Sequence, residues 1–428
     1  MLASPNLQAQ STTMHGYITA VHPPDSFDVN GEHVTTTAET RFGQIDLKTP
    51  VSTGSMPDTV QIGAWVEVTG KRDRNAKTMT AYNVLIRNDG DRKLSGLAVI
   101  DQVVSTAPEL VVAADGYRIR VTAATDLHYP KDAKSAADVR AGMWVLYEGK
   151  IGQDGLLVAS KARFLSTNHA KEKSGTAPGN SSLPAATPQP PNEVSNESDD
   201  QIDDRRTEVD LDDVTYGISK DQALQSRVRR IGMRLVPAWQ KQLPPDDPAK
   251  IQFEFIAVKN QMRDEQSSSE GLILVPAKLV ERFRNDDQLA AVLADGIAYS
   301  LQQKAPWVIQ MNRANLERAG AMAAANLVPY AGLVASSVYT YEAEKALKEQ
   351  RWRMALELMA DAGYDPWQAP EAWRLAAPGK LPADTSTLKY SDQGGYQFAI
   401  LNLTYKKPTP ANATESGSTS EVGTSRKP

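Results

Sequence analysis

The sequence predicts a multidomain protein in which two small all-β barrels are followed by an α+β domain. An internal repeat spans the first part of the chain, where short β-rich runs alternate with turn residues. Helical periodicity is absent there and begins after residue 218. A segment rich in Pro, Ser and acidic residues lies between the two parts. With 428 residues, the chain is long enough for two or three domains.

Composition excludes several classes of site. The chain has no cysteine, which rules out disulfide frameworks, thiol nucleophiles, cysteine zinc sites and iron–sulfur clusters. Because no histidine follows residue 169, a Ser-His-Asp triad within the second half is excluded, and a zinc site there would rest on carboxylates alone. The net charge of −5 argues against nucleic acid as a partner. The five histidines, which lie at no metal-ligand spacing, are interpreted as ordinary surface or loop residues: His15, His22, His33, His128 and His169.

The repeat is defined by glycine and tryptophan positions. Gly63 and Trp65 recur as Gly142 and Trp144, an offset of 79 residues, and the run 16–21 recurs as 96–101. This agreement predicts two copies of one unit, over residues 14–92 and 93–166.

Each copy contains five or six short strands, which in so short a unit predicts a closed barrel without exposed edges. Asn30-Gly31 and Asp115-Gly116 are hairpin signals within the two copies. The copies resemble a bacterial OB-like domain of unknown function. Since Lys and Arg are not clustered around aromatic residues, we interpret Trp65 and Trp144 as core residues rather than as platforms for nucleotide bases.

The remaining segments are predicted to lack a folded core. Residues 1–13 have no complete signal peptide, but Leu-Gln-Ala-Gln is typical of the end of one, so 1–13 is interpreted as a possible remnant. The expected location is extracytoplasmic, periplasmic or secreted, with a cytoplasmic location left open. Residues 167–217 are predicted to be a linker that carries the acidic excess, and 406–428 a disordered tail.

The second half alternates helices and strands. A helix is predicted over 219–236, with Ser219 as its N-cap, followed by strands at 251–258 and 271–275. A further helix should begin after Asn285-Asp286-Asp287-Gln288, which has the character of a capping box. Its buried stripe is expected to consist of Leu289, Leu293, Ile297 and Leu301.

The order and sequence of these elements, over residues 218–405, resemble the CAAX prenyl protease and HtpX-type zincin metallopeptidases. The family's two zinc-binding histidines fall on Asp295 and Tyr299, its catalytic glutamate on Gly296, and its third zinc ligand on Lys348, or on Glu349 if the register slips by one residue. The resemblance therefore implies a degenerate zincin-like domain that binds no zinc and is catalytically inactive, because neither the two imidazoles nor the general base is present.

The predicted function is that of a catalytically inactive, metallopeptidase-like module that binds a protein or peptide or acts as a scaffold. In this fold an extended peptide can pair with an edge strand, and the candidate edge strand comprises Gly271, Leu272, Ile273, Leu274 and Val275.

Two alternatives stay open. One is a zinc-dependent metalloendopeptidase with an atypical site, or a hard cation held by Asp295 together with Glu342, Glu344 or Glu349. The other is a purely structural scaffold without affinity for peptides.

Two further expectations concern charge. We expect Asp295 and Lys348 to form a partly buried ion pair where the metal of the family would lie. Residues 319–341 carry no charge, but their many small residues favour buried helices over a membrane hairpin, so no membrane span is expected.

Overall fold

The structure is a computed structural model of the whole chain. It describes residues 11–45, 50–73, 78–87, 93–131, 133–152, 154–165, 206–247, 249–259, 262, 264–304, 337–377 and 388–405.

The first barrel closes through a parallel pairing between its third and seventh strands. Antiparallel pairings join the other strands of the closed part, and valine, phenylalanine and isoleucine side chains fill its interior. Its strands are β1 (Thr12–His22), β2 (Ser26–Val29), β3 (Glu32–Thr35), β4 (Arg41–Gln44), β5 (Pro50–Thr53), β6 (Trp65–Asp73) and β7 (Thr78–Arg87).

The second barrel is closed by five strands in the order β10-β12-β11-β8-β9. As in the first barrel, one parallel pairing, here between β10 and β12, completes an otherwise antiparallel ring. The strands are β8 (Leu94–Ser105), β9 (Leu110–Ala114), β10 (Tyr117–His128), β11 (Trp144–Ile151) and β12 (Leu157–Leu165). The predicted order, with small β-barrels followed by an α+β region, is confirmed.

Equivalent backbone geometry in the two barrels supports the duplication. Gly63 and Gly142 both have positive φ (91° and 84°). The amide of each glycine donates a hydrogen bond to the first strand of its barrel: Gly63 N to Ile18 O at 2.9 Å, and Gly142 N to Ile100 O at 2.8 Å. The hairpin tips Asn30-Gly31 and Asp115-Gly116 also share positive φ at both residues, as a type I′ turn requires.

The prediction that both repeated tryptophans are core residues was wrong. Trp65 and Trp144 are half-buried, whereas the valines that follow them, Val66 and Val145, are fully buried. Because side chains alternate between the faces of a strand, the valines fill the barrels and the tryptophans lie outside. Trp65 packs against the core of the α+β unit, with the Lys345 Nζ atom 5.3 Å from its ring.

The α+β unit begins with a β-hairpin inside the segment predicted to be a linker. Residues 206–217 form this hairpin, and Val209 and Leu211 are buried against Ile256 and Leu274 of a small sheet. The linker boundary at 217 was therefore wrong, because the alternation of apolar residues in Glu208–Leu211 was hidden by the acidic composition. The strands are β13 (Glu208–Leu211), β14 (Val214–Gly217), β15 (Glu254–Val258), β16 (Gln266–Ser267) and β17 (Leu272–Pro276).

Seven helices are described in this unit, and the longest two, α4 and α5, pack against each other. The helices are α1 (Gln222–Leu235), α2 (Ala238–Gln242), α3 (Ala277–Val280), α4 (Asp286–Gln303), α5 (Ser337–Asp361), α6 (Ala369–Ala376) and α7 (Asp392–Thr404). Helix α4 begins as predicted, since the Asn285 side chain accepts a hydrogen bond from Gln288 N at 2.9 Å. Helix α1 is capped by Asp221 instead of Ser219.

The candidate edge strand is in fact the middle strand of the small sheet. The sheet order is β15-β17-β16, so Leu272–Pro276 pairs in parallel with Glu254–Val258 and antiparallel with Gln266–Ser267. The prediction of a free edge at 271–275 was wrong because the two-residue strand β16, which has no hydrophobic pattern, could not be recognised in the sequence.

Both barrels dock on the α+β unit through the same kind of hairpin tip. In the first barrel, Asn30 O accepts a hydrogen bond from Tyr390 N at 2.9 Å. In the second, Gly116 N donates to Glu357 Oε2 of α5 at 2.8 Å. The duplicated turn is thus used twice, against different parts of the α+β unit.

Residues 1–10, 167–205 and 406–428, and most of the uncharged segment 319–341, lie outside the described residues. Thr12 and Thr13, which were predicted to belong to the remnant at 1–13, are part of β1. None of the helices in the described part of the chain is both long and apolar enough to cross a membrane.

Candidate functional site

The candidate site lies between α4 and α5, where the resemblance places the zinc of the peptidases. Asp295, on α4, is 3% exposed, and its Oδ1 atom lies 3.3 Å from Arg351 Nε of α5. Gln393, at the start of α7, donates a hydrogen bond from Nε2 to the same oxygen at 3.0 Å. Three helices therefore converge on one carboxylate, and the polar groups of two of them contact its Oδ1 atom.

Arg351 takes the role that was predicted for Lys348. Lys348 is exposed, while Arg351 also lies with its guanidinium 5.8 Å from the Tyr299 ring. Residues 348 and 351 differ by about 60° around a helix of 3.6 residues per turn, and only the second faces α4. The prediction that Lys348 pairs with Asp295 was therefore wrong. A cation does lie beside Asp295, but it is Arg351.

Of the glutamates considered as alternative ligands, Glu349 faces the first barrel. Its Oε1 accepts a hydrogen bond from the Tyr17 hydroxyl at 3.5 Å and lies 4.0 Å from Lys345 Nζ. The side chains of Glu342 and Glu344 lie outside the described residues.

Gly296 packs closely against the segment that carries β16. A Cβ atom at this position would lie 2.6 Å from Glu265 Oε1 and 2.7 Å from Ser267 Oγ, so the ends of both side chains would have to shift. The Ser267 hydroxyl donates a hydrogen bond to Glu265 Oε1. A carboxyl group from a different element therefore lies beside the position of the family's catalytic glutamate.

The two carboxyl groups do not both favour the ionised state. Burial, reinforced by the nearby charge of Asp295, raises the pKa of Glu265 to about 8. Burial also raises the pKa of Asp295, an effect that Arg351 and Gln393 partly oppose. At neutral pH Glu265 is mostly protonated, and Arg351 and Gln393 favour the ionised form of Asp295 over the protonated form.

A second buried polar cluster joins the second barrel to the α+β unit. We call it the interface cluster; its members are Asp101, Asp115, Tyr147, Trp239, Arg353, Glu357 and Tyr396. The Arg353 guanidinium donates to Asp115 O at 3.0 Å and to Asp115 Oδ1 at 2.8 Å, and it also donates to the Tyr396 hydroxyl. Tyr147 donates its hydroxyl hydrogen bond to Asp115 Oδ2.

The interface cluster also holds carboxyl groups that prefer the neutral state. Burial, with the charges of Asp361 and Asp115, raises the pKa of Asp101 to about 7, against a lowering effect of the hydrogen bond from Trp239 Nε1 (3.1 Å). Burial and the charge of Asp101 raise the pKa of Glu357 well above its usual range. Apart from the hairpin signal at Asp115-Gly116, no local pattern in the sequence indicates this cluster, because Asp115 and Arg353 at its centre are 238 residues apart in the chain.

The first barrel has a counterpart in a known family. Residues 15–84 match the family model of a domain of unknown function (DUF5666). The match covers most of the first barrel, in line with the predicted resemblance to a domain of unknown function. No curated protein matches the chain, and the resemblance of the α+β unit to zincin peptidases rests on its sequence framework.

Proposed function

We propose that this protein is a catalytically inactive, metallopeptidase-like scaffold or protein-binding module. The observation that carries this proposal is the pairing of Asp295 with Arg351 and Gln393. A cation and an amide both contact one oxygen of this buried carboxylate, and the residue in the position of the general base is a glycine.

The two docked barrels favour a scaffold over a catalyst. Hydrogen bonds and a buried ion pair fix the barrels on the α+β unit, so that the whole assembly presents a defined outer surface. Binding by strand addition at 271–275 is not part of the proposal, since β17 is paired on both sides. The expected extracytoplasmic location belongs to the proposal, and fractionation of the native host would test it.

A proteolysis assay tests the absence of catalysis. The full-length, tag-free chain is incubated with fluorescein-labelled casein, with added zinc or with a chelator, and cleavage is followed by the size of the labelled products. We expect the same background in all conditions. Zinc-dependent cleavage that is lost in an Asp295→Ala variant would show that the protein is a peptidase with an atypical site.

Restoring the family residues should not restore the zinc site. The triple variant Asp295→His, Gly296→Glu and Tyr299→His is expected to bind no additional equivalent of zinc, because Arg351 keeps a positive charge beside the ligands. It should also lose about 1–3 kcal/mol of stability through overpacking against Glu265 and Ser267. Metal analysis and urea denaturation measure both effects.

The single variant Gly296→Ala serves as the steric control, because it adds only the Cβ atom. Adding Arg351→Glu to the triple variant removes the cation and supplies a third ligand, and is the change most able to create a site. Tight binding of an extra zinc ion by the triple variant with Arg351 intact would contradict the proposed role of that arginine.

A further inference from the structure

Three polar side chains lie on the outer face of the first barrel where β1, β2 and β3 are adjacent. Asp28 pairs with Ala20 of β1 on one side and with His33 of β3 on the other. His22 lies two residues beyond Ala20, and therefore on the same face as Asp28 and His33. The pairing of strands thus assembles residues that have no ligand spacing along the chain.

The opposite face fixes this arrangement. Phe27, Val29 and Val34 alternate with Asp28 and His33 and are at most 1% exposed in the barrel core. A slip by one residue would expose these apolar side chains to water, so the register is strongly specified. The tight turn at Asn30-Gly31 between β2 and β3 further fixes Asp28 opposite His33.

The three side chains lie close enough together to share one metal ion. Asp28 Oδ2 lies 3.3 Å from His22 Nε2, and Asp28 Oδ1 lies 2.8 Å from His33 Nδ1. One potential ligand atom from each residue lies within 4.8 Å of the others. Metal–ligand bonds of about 2.0–2.2 Å in a tetrahedral site place ligand atoms roughly 3.4 Å apart, so small side-chain rotations suffice to enclose an ion.

The types of ligand point to a particular class of ion. Two imidazoles and one carboxylate suit zinc and other divalent first-row transition metals, whereas magnesium and calcium prefer sites made of oxygen atoms alone. We propose that His22, Asp28 and His33 bind one divalent transition metal ion, with zinc as the reference. The His22 and His33 side chains are 50% and 41% exposed, which leaves the remaining coordination positions open to solvent or to a ligand from another molecule.

Within the described residues, no other group of three such side chains comes together. The site lies in the segment that matches the domain of unknown function, and far in the sequence from Asp295. It therefore goes beyond the proposed function and does not depend on the absence of catalysis in the α+β unit.

Calorimetric titration of the tag-free, metal-stripped full-length chain with zinc chloride tests the site. We expect one equivalent to bind, and the double variant His22→Ala and His33→Ala to bind at least 100-fold more weakly, since loss of a ligand should exceed the about 10–100-fold cost of losing an outer-shell partner. Asp28→Asn, which keeps the shape of the side chain, should also weaken binding. Titration with cobalt(II) adds a visible absorption spectrum that reports the coordination geometry.

His128→Ala is the matched control. His128 Nδ1 lies 3.5 Å from Asp126 Oδ1 on the second barrel, so the variant disrupts a similar histidine–aspartate pair that is not part of a three-residue cluster. Its zinc affinity should equal that of the parent. Circular dichroism checks that the variants stay folded, as expected for changes on the outer face.

Two results would overturn the proposal: an absence of stoichiometric binding, or binding that persists in the double variant. If the persisting zinc were lost in Asp295→Ala, the ion would belong to the site between α4 and α5, and the proposed lack of a metal site there would fail as well. The two proposals can thus fail separately.

Discussion

Replacing Arg353 with methionine should lower the free energy of unfolding by about 3–5 kcal/mol, the cost typical of removing one partner from a buried ion pair. Arg353 donates to the backbone and the carboxylate of Asp115, and its guanidinium also lies 4.7 Å from the Tyr117 ring. Asp115 is 1% exposed. Without Arg353, its charge would stay buried with only the Tyr147 hydroxyl and nearby neutral groups to stabilise it. Urea denaturation at neutral pH measures the loss.

The double variant Arg353→Met and Asp115→Asn separates the charge from the packing. Because asparagine tolerates the positive φ of 60° at this position, the double variant should be more stable than Arg353→Met alone. Lys348→Met, on the exposed face of the same helix, is the control and should change stability by no more than about 0.5 kcal/mol. An equally small effect of Arg353→Met would show that the pair does not hold the second barrel in place.

The stability of the protein should fall as the pH rises from about 4 to about 7, and Asp101→Asn should reduce this slope. The pKa of Asp101 is raised from 3.8 to about 7 in the folded protein. In that range the folded state holds the proton more tightly than the unfolded state. Folding is therefore linked to proton uptake at Asp101. The stability that this uptake contributes is lost as the pH rises through the pKa of Asp101 in the folded protein. One pKa unit corresponds to about 1.4 kcal/mol, so the effect is on the order of a few kcal/mol.

Asparagine cannot ionise but keeps an oxygen that can accept the hydrogen bond from Trp239 Nε1. The variant should therefore be more stable than the parent above pH 7 and similar to it near pH 4, as thermal unfolding in a series of buffers would show. Asp138→Asn provides a control with the opposite sign, because hydrogen bonds from the Lys134 and Ser135 region lower the pKa of Asp138. Asp138→Asn should be less stable than the parent at neutral pH, and the difference should vanish as the pH falls through the lowered pKa of Asp138. A parent and an Asp101→Asn variant with parallel pH profiles would contradict the linkage.

The parts of the fold that the sequence predicted are those fixed by local rules. The repeat was visible because Gly63 and Gly142 must adopt positive φ at equivalent turns. The start of α4 was visible because Asn285 satisfies an amide that the helix itself leaves unpaired. In each case one residue and its neighbours in the chain determine the conformation.

The parts that were missed depend on contacts between distant segments. Glu265 could not be placed beside Gly296, because a short loop strand has no periodicity that fixes its position. Arg351 lies opposite Asp295 in place of Lys348, because the apolar residues near the end of α5 do not determine which polar residue one or two turns earlier faces α4. The turn at Asn30-Gly31 predicted a hairpin near His22, Asp28 and His33. That these three side chains share one face follows only from the pairing of three strands.

The contact between the first barrel and the final helices has a consequence for biosynthesis. Lys389 forms an ion pair with Glu32, a residue 357 positions earlier in the chain that is 4% exposed in the folded protein. At about 5–20 residues per second, the ribosome needs roughly 20–70 s to translate the intervening segment. During this time the nascent first barrel can fold, but the surface that receives Tyr390 and α7 stays uncovered. This surface can therefore be covered only after the final helices have been synthesised, and a chaperone that recognises the uncovered surface would act only on the newly made protein.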